Sequence, residues 1–296
     1  MSTGAIRKQQ ARAALGFLAP AYGLYILIIL IPVFATFAFT FFYIDRITLS
    51  FTFVGLENYE WIVTDKRFWK SLWTTFTFVV LAVTGNVGLG LLLAVMLNRR
   101  FSNALLYGFR LVFFLPVLVS IATVALVWEF LYNTDLGLFN YYLTSLGLPR
   151  IGWLSDADVV MYAVVIFDVW KNVGFFMIIF LAALQGVPRD LIDAANVDGA
   201  NSRTVFRKIT LPFISPVVLF AVTFATIGAL QVFDSIKVLT DGGPGDATRS
   251  TVMYMVDEAF GAGDVSTGAV AAVILLVVIV TVTLIQFFTG RRAVYS

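Results

Sequence analysis

Residues Leu184–Pro216 read LQGVPRDLIDAANVDGANSRTVFRKITLPFISP. This polar segment lies between two apolar runs, Val159–Leu184 and Phe213–Phe233, in a chain that is otherwise mostly apolar. A polar stretch between two greasy ones is a connection at one face of a membrane. Its pattern predicts a helix, a glycine turn and a second helix lying along that face. Pro188 suits a first helical position, where its missing donor costs nothing. Asp190 in the first turn complements the helix dipole. Leu191, Ala194 and Ala195 stand at i, i+3 and i+4 and share one face. Gly199 is a natural stop. Ser202 is placed to cap the second helix, which carries Val205 and Phe206 with Arg203, Arg207 and Lys208 on its polar side.

The rest of the chain is read outward from that connection. Of 296 residues, 60% are hydrophobic and 13% charged. A soluble domain has about half apolar and a quarter charged residues, so the composition is that of a polytopic membrane protein. There is no cysteine and no histidine. A thiolate metal site, a disulfide framework, an HExxH zinc site and a Ser-His catalytic arrangement are therefore excluded. Crossing a bilayer takes about 20 apolar residues. Six stretches qualify, near Ala14–Tyr43, Leu72–Leu97, Leu106–Leu131, Val159–Leu184, Phe213–Phe233 and Gly268–Phe288. Pro20 and Pro32 predict a kink in the first. The expected fold class is all-α, with six transmembrane helices.

Charge sets the expected orientation. The N-terminal tail, 98–104, 185–212 and the tail after Thr289 hold Arg7, Lys8, Arg12, Arg99, Arg100, Arg189, Arg203, Arg207, Lys208, Arg291 and Arg292. The longer connections 44–71, 132–158 and 234–267 hold only Arg46, Lys66, Arg67, Lys70, Arg150, Lys237 and Arg249. The first set, with both termini, is expected to be cytoplasmic. The N-terminal basic cluster and the long apolar run after it are expected to form an uncleaved first span. The expected organisation is a tail and first helix over 1–43, an external loop over 44–71, a core over 72–290 with the connection 185–212, and a cytoplasmic tail over 291–296.

The run Asp193-Ala194-Ala195, then Asp198-Gly199-Ala200, then Ile209, Leu211 and Pro212 resembles the EAA signature of permease subunits of binding-protein-dependent ABC importers. Asp193 stands where the signature usually has glutamate. A second match follows. Phe233-Asp234 and Leu239-Thr240-Asp241-Gly242-Gly243-Pro244 resemble the F-D…L-T-x-G-G-P segment of carbohydrate-uptake permeases of the maltose and glycerol-3-phosphate type. From residues alone, Gly-Gly-Pro-Gly is a tight interhelical turn.

The resemblance spans Leu72–Phe288 and implies a type I ABC importer permease fold in a bacterial inner membrane. It implies a second permease subunit, two ATPase subunits, an extracytoplasmic solute-binding protein and a small sugar as partners, besides lipid; nucleic acid has no place. The connection becomes the coupling helix docked on the ATPase, with Asp193, Ala194, Ala195, Asp198, Gly199, Phe206 and Arg207 as its contact and turn residues. No cofactor is bound by this chain, ATP and magnesium belonging to the ATPase subunits, and no covalent chemistry or catalytic residue is expected of it.

Ionisable groups within spans are candidate functional sites. Glu129 lies near the end of its span, where it can reach the interface. Asp168 and Lys171 lie deeper, at i and i+3, a spacing that allows an ion pair. That pair reads either as structural, holding helices together, or as facing a polar cavity. Asp168, Trp170, Lys171, Asn172 and Phe175 offer the mixture of carboxylate, aromatic and amide that binds sugars. The corresponding positions on the next helix, Ala225, Gly228, Ala229 and Val232, are small or apolar, with Gln231 and Asp234 near its end. The expected substrate is a sugar; the alternatives are glycerol-3-phosphate or another anionic sugar derivative. An ion-coupled carrier with Asp168 as proton site is a remoter reading, as is an intramembrane aspartyl protease, which lacks a second mid-span aspartate. Gly85-Asn86-Val87-Gly88-Leu89-Gly90 has no following Gly-Lys-Ser/Thr, so it reads as a helix-packing face rather than a nucleotide loop.

Overall fold

The structure, a computed structural model, describes residues 3–45, 48, 50–98 and 102–295. Arg46, Arg99 and Arg100 lie outside the described residues. Two compact units are formed, Met1–Asp65 with Met255–Ile274, and Lys66–Tyr254 with Leu275–Ser296.

The first unit begins with α1 (Thr3–Tyr25), a π-helical turn (Ile26–Leu30) and α2 (Ile31–Phe39). The hydrogen-bond ladder widens to π spacing just before Pro32, so the proline is absorbed without a break in the apolar run Ala13–Phe39. An antiparallel hairpin follows, β1 (Phe42–Asp45) paired with β2 (Ser50–Phe53), then α3 (Glu57–Thr64). The hairpin adds two short strands to an expected wholly helical chain. Its base is tied by polar side chains. Asn58 Nδ2 donates to the Thr40 and Phe42 carbonyls at 2.9 and 3.1 Å, and Ser266 Oγ accepts from Ile44 N at 3.2 Å.

The second unit opens with α4 (Lys66–Leu97), six residues earlier than hydropathy alone indicates. The third apolar stretch is not one continuous helix. α5 (Asn103–Leu118) and α6 (Ile121–Tyr132) meet at 101°. Pro116 removes one donor near the end of α5, and Val119 and Ser120 take extended backbone (ψ 145° and 133°), which ends the ladder there. α7 (Leu138–Ser145) leads to α8 (Val160–Gln185). α9 (Arg189–Val197) is followed by α10 (Ser202–Val205), a π turn (Phe206–Thr210) and α11 (Leu211–Leu230). α12 (Asp234–Leu239), α13 (Thr251–Val256), another π turn (Asp257–Ala262) and α14 (Val265–Tyr295) complete the described chain. Among the described residues, five helices are long and apolar enough to cross a membrane, six if the bent pair is one span.

α4 and α8 pack through small residues. A Cβ built on Gly85 would lie 2.6 Å from Val169 Cγ2, and one on Gly90 would lie 2.7 Å from Phe176 Cβ. Only glycine permits so close an approach of two helices without forcing the facing chains aside. At one end an aromatic cluster closes the core. The Trp128 ring lies 5.1–5.6 Å from those of Tyr132, Phe139, Phe167 and Trp170, and Tyr132 Oη donates to the Ala163 carbonyl at 2.8 Å. Rings at that separation add favourable edge contacts to their buried area.

The Gly-Gly-Pro-Gly loop is held by one carboxylate. Asp246 accepts from Arg67 Nε at 3.0 Å and from Arg249 Nε at 2.6 Å, and Lys70 Nζ donates to the Gly245 carbonyl at 2.7 Å. Partial burial alone would raise the Asp246 pKa. The hydrogen bonds and charges of Arg249 and Arg67 outweigh it and hold the carboxyl below its usual range. The loop is thereby fastened to the start of α4.

Candidate functional site

A cavity of about 400 Å³ opens between α4, α8, α11 and the α5–α6 break. Its polar wall is built from two helices. Asp168 Oδ2 accepts from Asn86 Nδ2 at 2.8 Å, and its Oδ1 accepts from Asn172 Nδ2 at 3.0 Å. Asn172 sits four residues after Asp168, so the helix itself supplies that bond; Asn86 reaches across from α4. Part of the lining is aromatic. Phe175 and Phe224 stand 5.2 Å apart with 34° between their planes, and Phe78 also lines the space. Gln231 and Asp234 lie at the end beyond α11.

Of the residues named from sequence for a substrate, Asp168, Asn172, Phe175, Gln231 and Asp234 line this cavity. Trp170 does not; it packs on Trp128 and is 41% exposed on another face of α8. Lys171 does not either. It is 4% exposed, and its ammonium donates to the carbonyls of Pro116, Val117 and Val119 at 3.0, 3.4 and 2.8 Å. The four ion pairs among the described residues do not include Asp168–Lys171. The reason is the broken helix. No helical turn follows to bond the last carbonyls of α5, that of Pro116 taking only a long bond from Val119 N at 3.4 Å, and a cation at a helix C-terminus satisfies them. Three carbonyls outcompete one carboxylate already occupied by two amides.

Lys171→Met is expected to lower stability by about 3 kcal/mol, since each hydrogen bond to a charged group contributes roughly 1.5–3. A fall in the thermal unfolding midpoint of the detergent-solubilised protein checks this, and an unchanged midpoint contradicts it.

Two residues escaped the reading from sequence. Asn86 looked like part of a packing stripe, because nothing local marks an amide as the partner of a residue 82 positions away. Phe224 follows α11 at ordinary spacing for a lipid-facing ring. Arg110 is a further charged residue inside the third apolar stretch; its guanidinium carbon lies 6.0 Å from the Tyr107 ring centroid, away from the cavity. Glu129 is exposed on α6.

In the connection Gln185–Pro212 the first expected helix forms as α9, but the second is not a separate surface helix, because it runs on into α11. Pro188 is the N-cap of α9 rather than its first residue, and Asn201, not Ser202, caps the next helix, its Oδ1 accepting from Thr204 N at 2.9 Å. Apolar helix then runs from Ser202 through Leu230. Gly199 takes φ +78° at the corner. Asp193, Ala194, Asp198, Gly199 and Arg207 are exposed, and Ala195 and Phe206 are half-buried. The apolar side chains of α9 are also uncovered, Leu191 at 49% and Val197 at 88%. Among the described residues, no group of three or more acidic, histidine or cysteine side chains could hold a metal.

Residues 86–294 match the inner membrane component of binding-protein-dependent transport systems. The chain belongs to that family. This permease is 34% identical to the trehalose/maltose transport system permease protein MalF of Thermococcus litoralis, over 98% of this chain and 97% of that one. It is also 34% identical to the sn-glycerol-3-phosphate transport system permease protein UgpA of Yersinia enterocolitica, over 86% and 85%. Its fold superposes on a chain of a bacterial alginate ABC transporter in complex with a periplasmic protein carrying an alginate pentasaccharide. The TM-score is 0.86 at 21% identity, covering 97% of each chain. The permease is thus a multi-pass, all-α membrane component of an ABC importer, with the type I importer permease fold.

Proposed function

We propose that this permease forms half of the translocation pore of an ATP-driven sugar importer. A second permease completes the pore, two ATPase subunits dock on α9 and the Gly199 corner, and an extracytoplasmic binding protein delivers solute at the other face. Both termini and α9 lie on the cytoplasmic side, in keeping with the lysines and arginines gathered there. ATP binding draws the α9 helices of the two permeases together and turns the cavity outward; hydrolysis resets it. The chain itself performs no covalent chemistry.

The observation that carries the sugar reading is the pairing of the Asn86–Asp168–Asn172 wall with the Phe175–Phe224 wall in one cavity. Hydroxyls of a sugar need carboxylate and amide partners, and its C–H faces need aromatic rings. The likeness to MalF supports the same class. The uncovered Leu191 and Val197 on a short polar helix support docking there, because exposed apolar groups rimmed by charge mark protein contacts.

The test is purification of the tagged chain from its native membrane, followed by ATPase assay of what accompanies it. The expected result is a second permease and an ATPase in the eluate, with hydrolysis raised by a binding protein loaded with one sugar. A lone chain with no ATPase would refute the reading and leave an ion-coupled carrier in its place.

A further inference from the structure

We propose that the groove between α11 and α14 is a binding site for one anionic phospholipid, with Arg207 holding the phosphate and the apolar walls holding an acyl chain. Such a site requires only that the two helices cross a membrane, so it stands or falls apart from the importer reading.

The groove encloses about 500 Å³. Leu211, Pro212, Val218, Leu219 and Val222 form most of its α11 side, and Gln286, Thr289 and Gly290 its α14 side. α14 runs back along α11. Gln286 Nε2 donates to Thr226 Oγ1 at 2.8 Å, and further along α14 a Cβ on Gly290 would overlap Leu219. At the end nearer α9 stands Arg207, which among the described residues is the one charged residue of the lining. It is exposed and makes no ion pair among the described residues. The chain continues from Gly290 into Arg291 and Arg292, which adds formal positive charge directly after the last lining residue.

The dimensions are those of one leaflet. A helix rises about 1.5 Å per residue, so Leu211 to Val222 covers roughly 16 Å, about half of a hydrocarbon core of roughly 30 Å. Arg207 lies one turn further out, at the depth of lipid headgroups, where a guanidinium can receive a phosphate through two parallel hydrogen bonds. The hydroxyls of Ser215 and Thr289 donate to carbonyls of their own helices at 2.7 Å, which leaves them compatible with a hydrocarbon neighbour. A helix from another subunit would cover the apolar walls and bring Arg207 no anion. A free phosphate would pair with Arg207 and leave the walls uncovered. An anionic phospholipid meets both needs, and basic pockets between spans take such headgroups.

The test is photolabelling of the full chain, with whatever subunits accompany it, in vesicles of phosphatidylglycerol and phosphatidylcholine in equal parts. Each lipid in turn carries a diazirine midway along one acyl chain, and labelled peptides are mapped by mass spectrometry. Peptides covering 211–222 and the one containing Gln286 are expected to take up the phosphatidylglycerol probe about fivefold more than the phosphatidylcholine probe, a factor worth roughly 1 kcal/mol. Val112 on α5, 69% exposed and away from the groove, is expected to label equally with both. Arg207→Gln is expected to bring the groove to equal labelling. Equal labelling of the groove in the unaltered chain overturns the site, and so does a preference that survives Arg207→Gln or is matched at Val112. Loss of the preference on adding excess inorganic phosphate assigns Arg207 to a free anion and overturns the lipid. A groove that takes up neither probe while Val112 labels is covered by another subunit, which overturns the lipid as well. A purified chain without any ATPase overturns the importer reading and leaves the lipid site intact.

Discussion

Gly199→Pro abolishes solute-stimulated ATP hydrolysis and uptake while leaving the permease inserted and folded. Gly199 sits at φ +78°, and proline is confined to about −65°, so the corner between α9 and α10 cannot form with proline there. The corner has no neighbour within 4 Å of a Cβ position, so the effect is conformational and not steric. Alanine strains the same φ by only about 1–2 kcal/mol, and Gly199→Ala should retain part of the coupling. The helices flanking the corner bury little of their own surface, and the rest of the fold does not depend on it. Asp193→Arg tests the same face by charge. The aspartate is exposed and makes no ion pair among the described residues, so its reversal spares the fold and acts on docking alone. Uptake per assembled complex, normalised to ATPase bound, is the measurement. Normal uptake by Gly199→Pro would remove α9 from the coupling role.

The second large effect concerns Gly174. A Cβ there would overlap the carbonyl of Phe113, where α8 crosses α5. The obstacle is backbone, which cannot swing aside as a side chain can. Overpacking a core costs about 1–3 kcal/mol even where side chains can yield. Gly174→Leu should exceed that range and lower the unfolding midpoint by on the order of 5–10 °C, or prevent accumulation of the protein. Gly88→Ala is the control. It lies on the neighbouring helix α4 with nothing within 4 Å of its Cβ position, and it should be neutral or slightly stabilising, because alanine favours helix by up to about 1 kcal/mol over glycine. Fluorescence-detected size-exclusion after a heating series separates the two. Equal midpoints for both variants would show that the α5–α8 contact does not limit stability.

Gly199 and Gly174 differ in how far the chain alone reveals their roles. Gly199 could be read from sequence, since a glycine between two short amphipathic patterns needs only local chemistry to be recognised as a corner. Gly174 could not. It sits in an apolar run among Val173, Phe175 and Phe176, and the reason for its size is a carbonyl 61 positions earlier. The same division runs through the candidate site. Asp168 and Asn172 were legible as members of one polar stretch on one helix, but not as bonded to each other, although their spacing of four permits that bond. Lys171 was legible as unusual but not as to its partner. The spacing i, i+3 made Asp168 available to it, whereas the broken α5 offered three carbonyls that no local pattern announces.

By itself, then, the sequence determined that this chain spans a membrane repeatedly, which segment turns at one face, and where charge and glycine interrupt the apolar runs. Those properties are sums over neighbouring residues, set by transfer free energies and backbone preference, and they need no fold to be evaluated. Only the tertiary structure decided that the third apolar stretch is two helices at 101°, that Lys171 seals the break between them, and that Asn86 reaches across from α4 to donate to Asp168. Each of those outcomes is a choice of hydrogen-bond partner by a buried polar group. Within a low-dielectric interior that choice is settled by which distant backbone or side chain arrives within 3 Å, and hydropathy read along the chain carries no record of it.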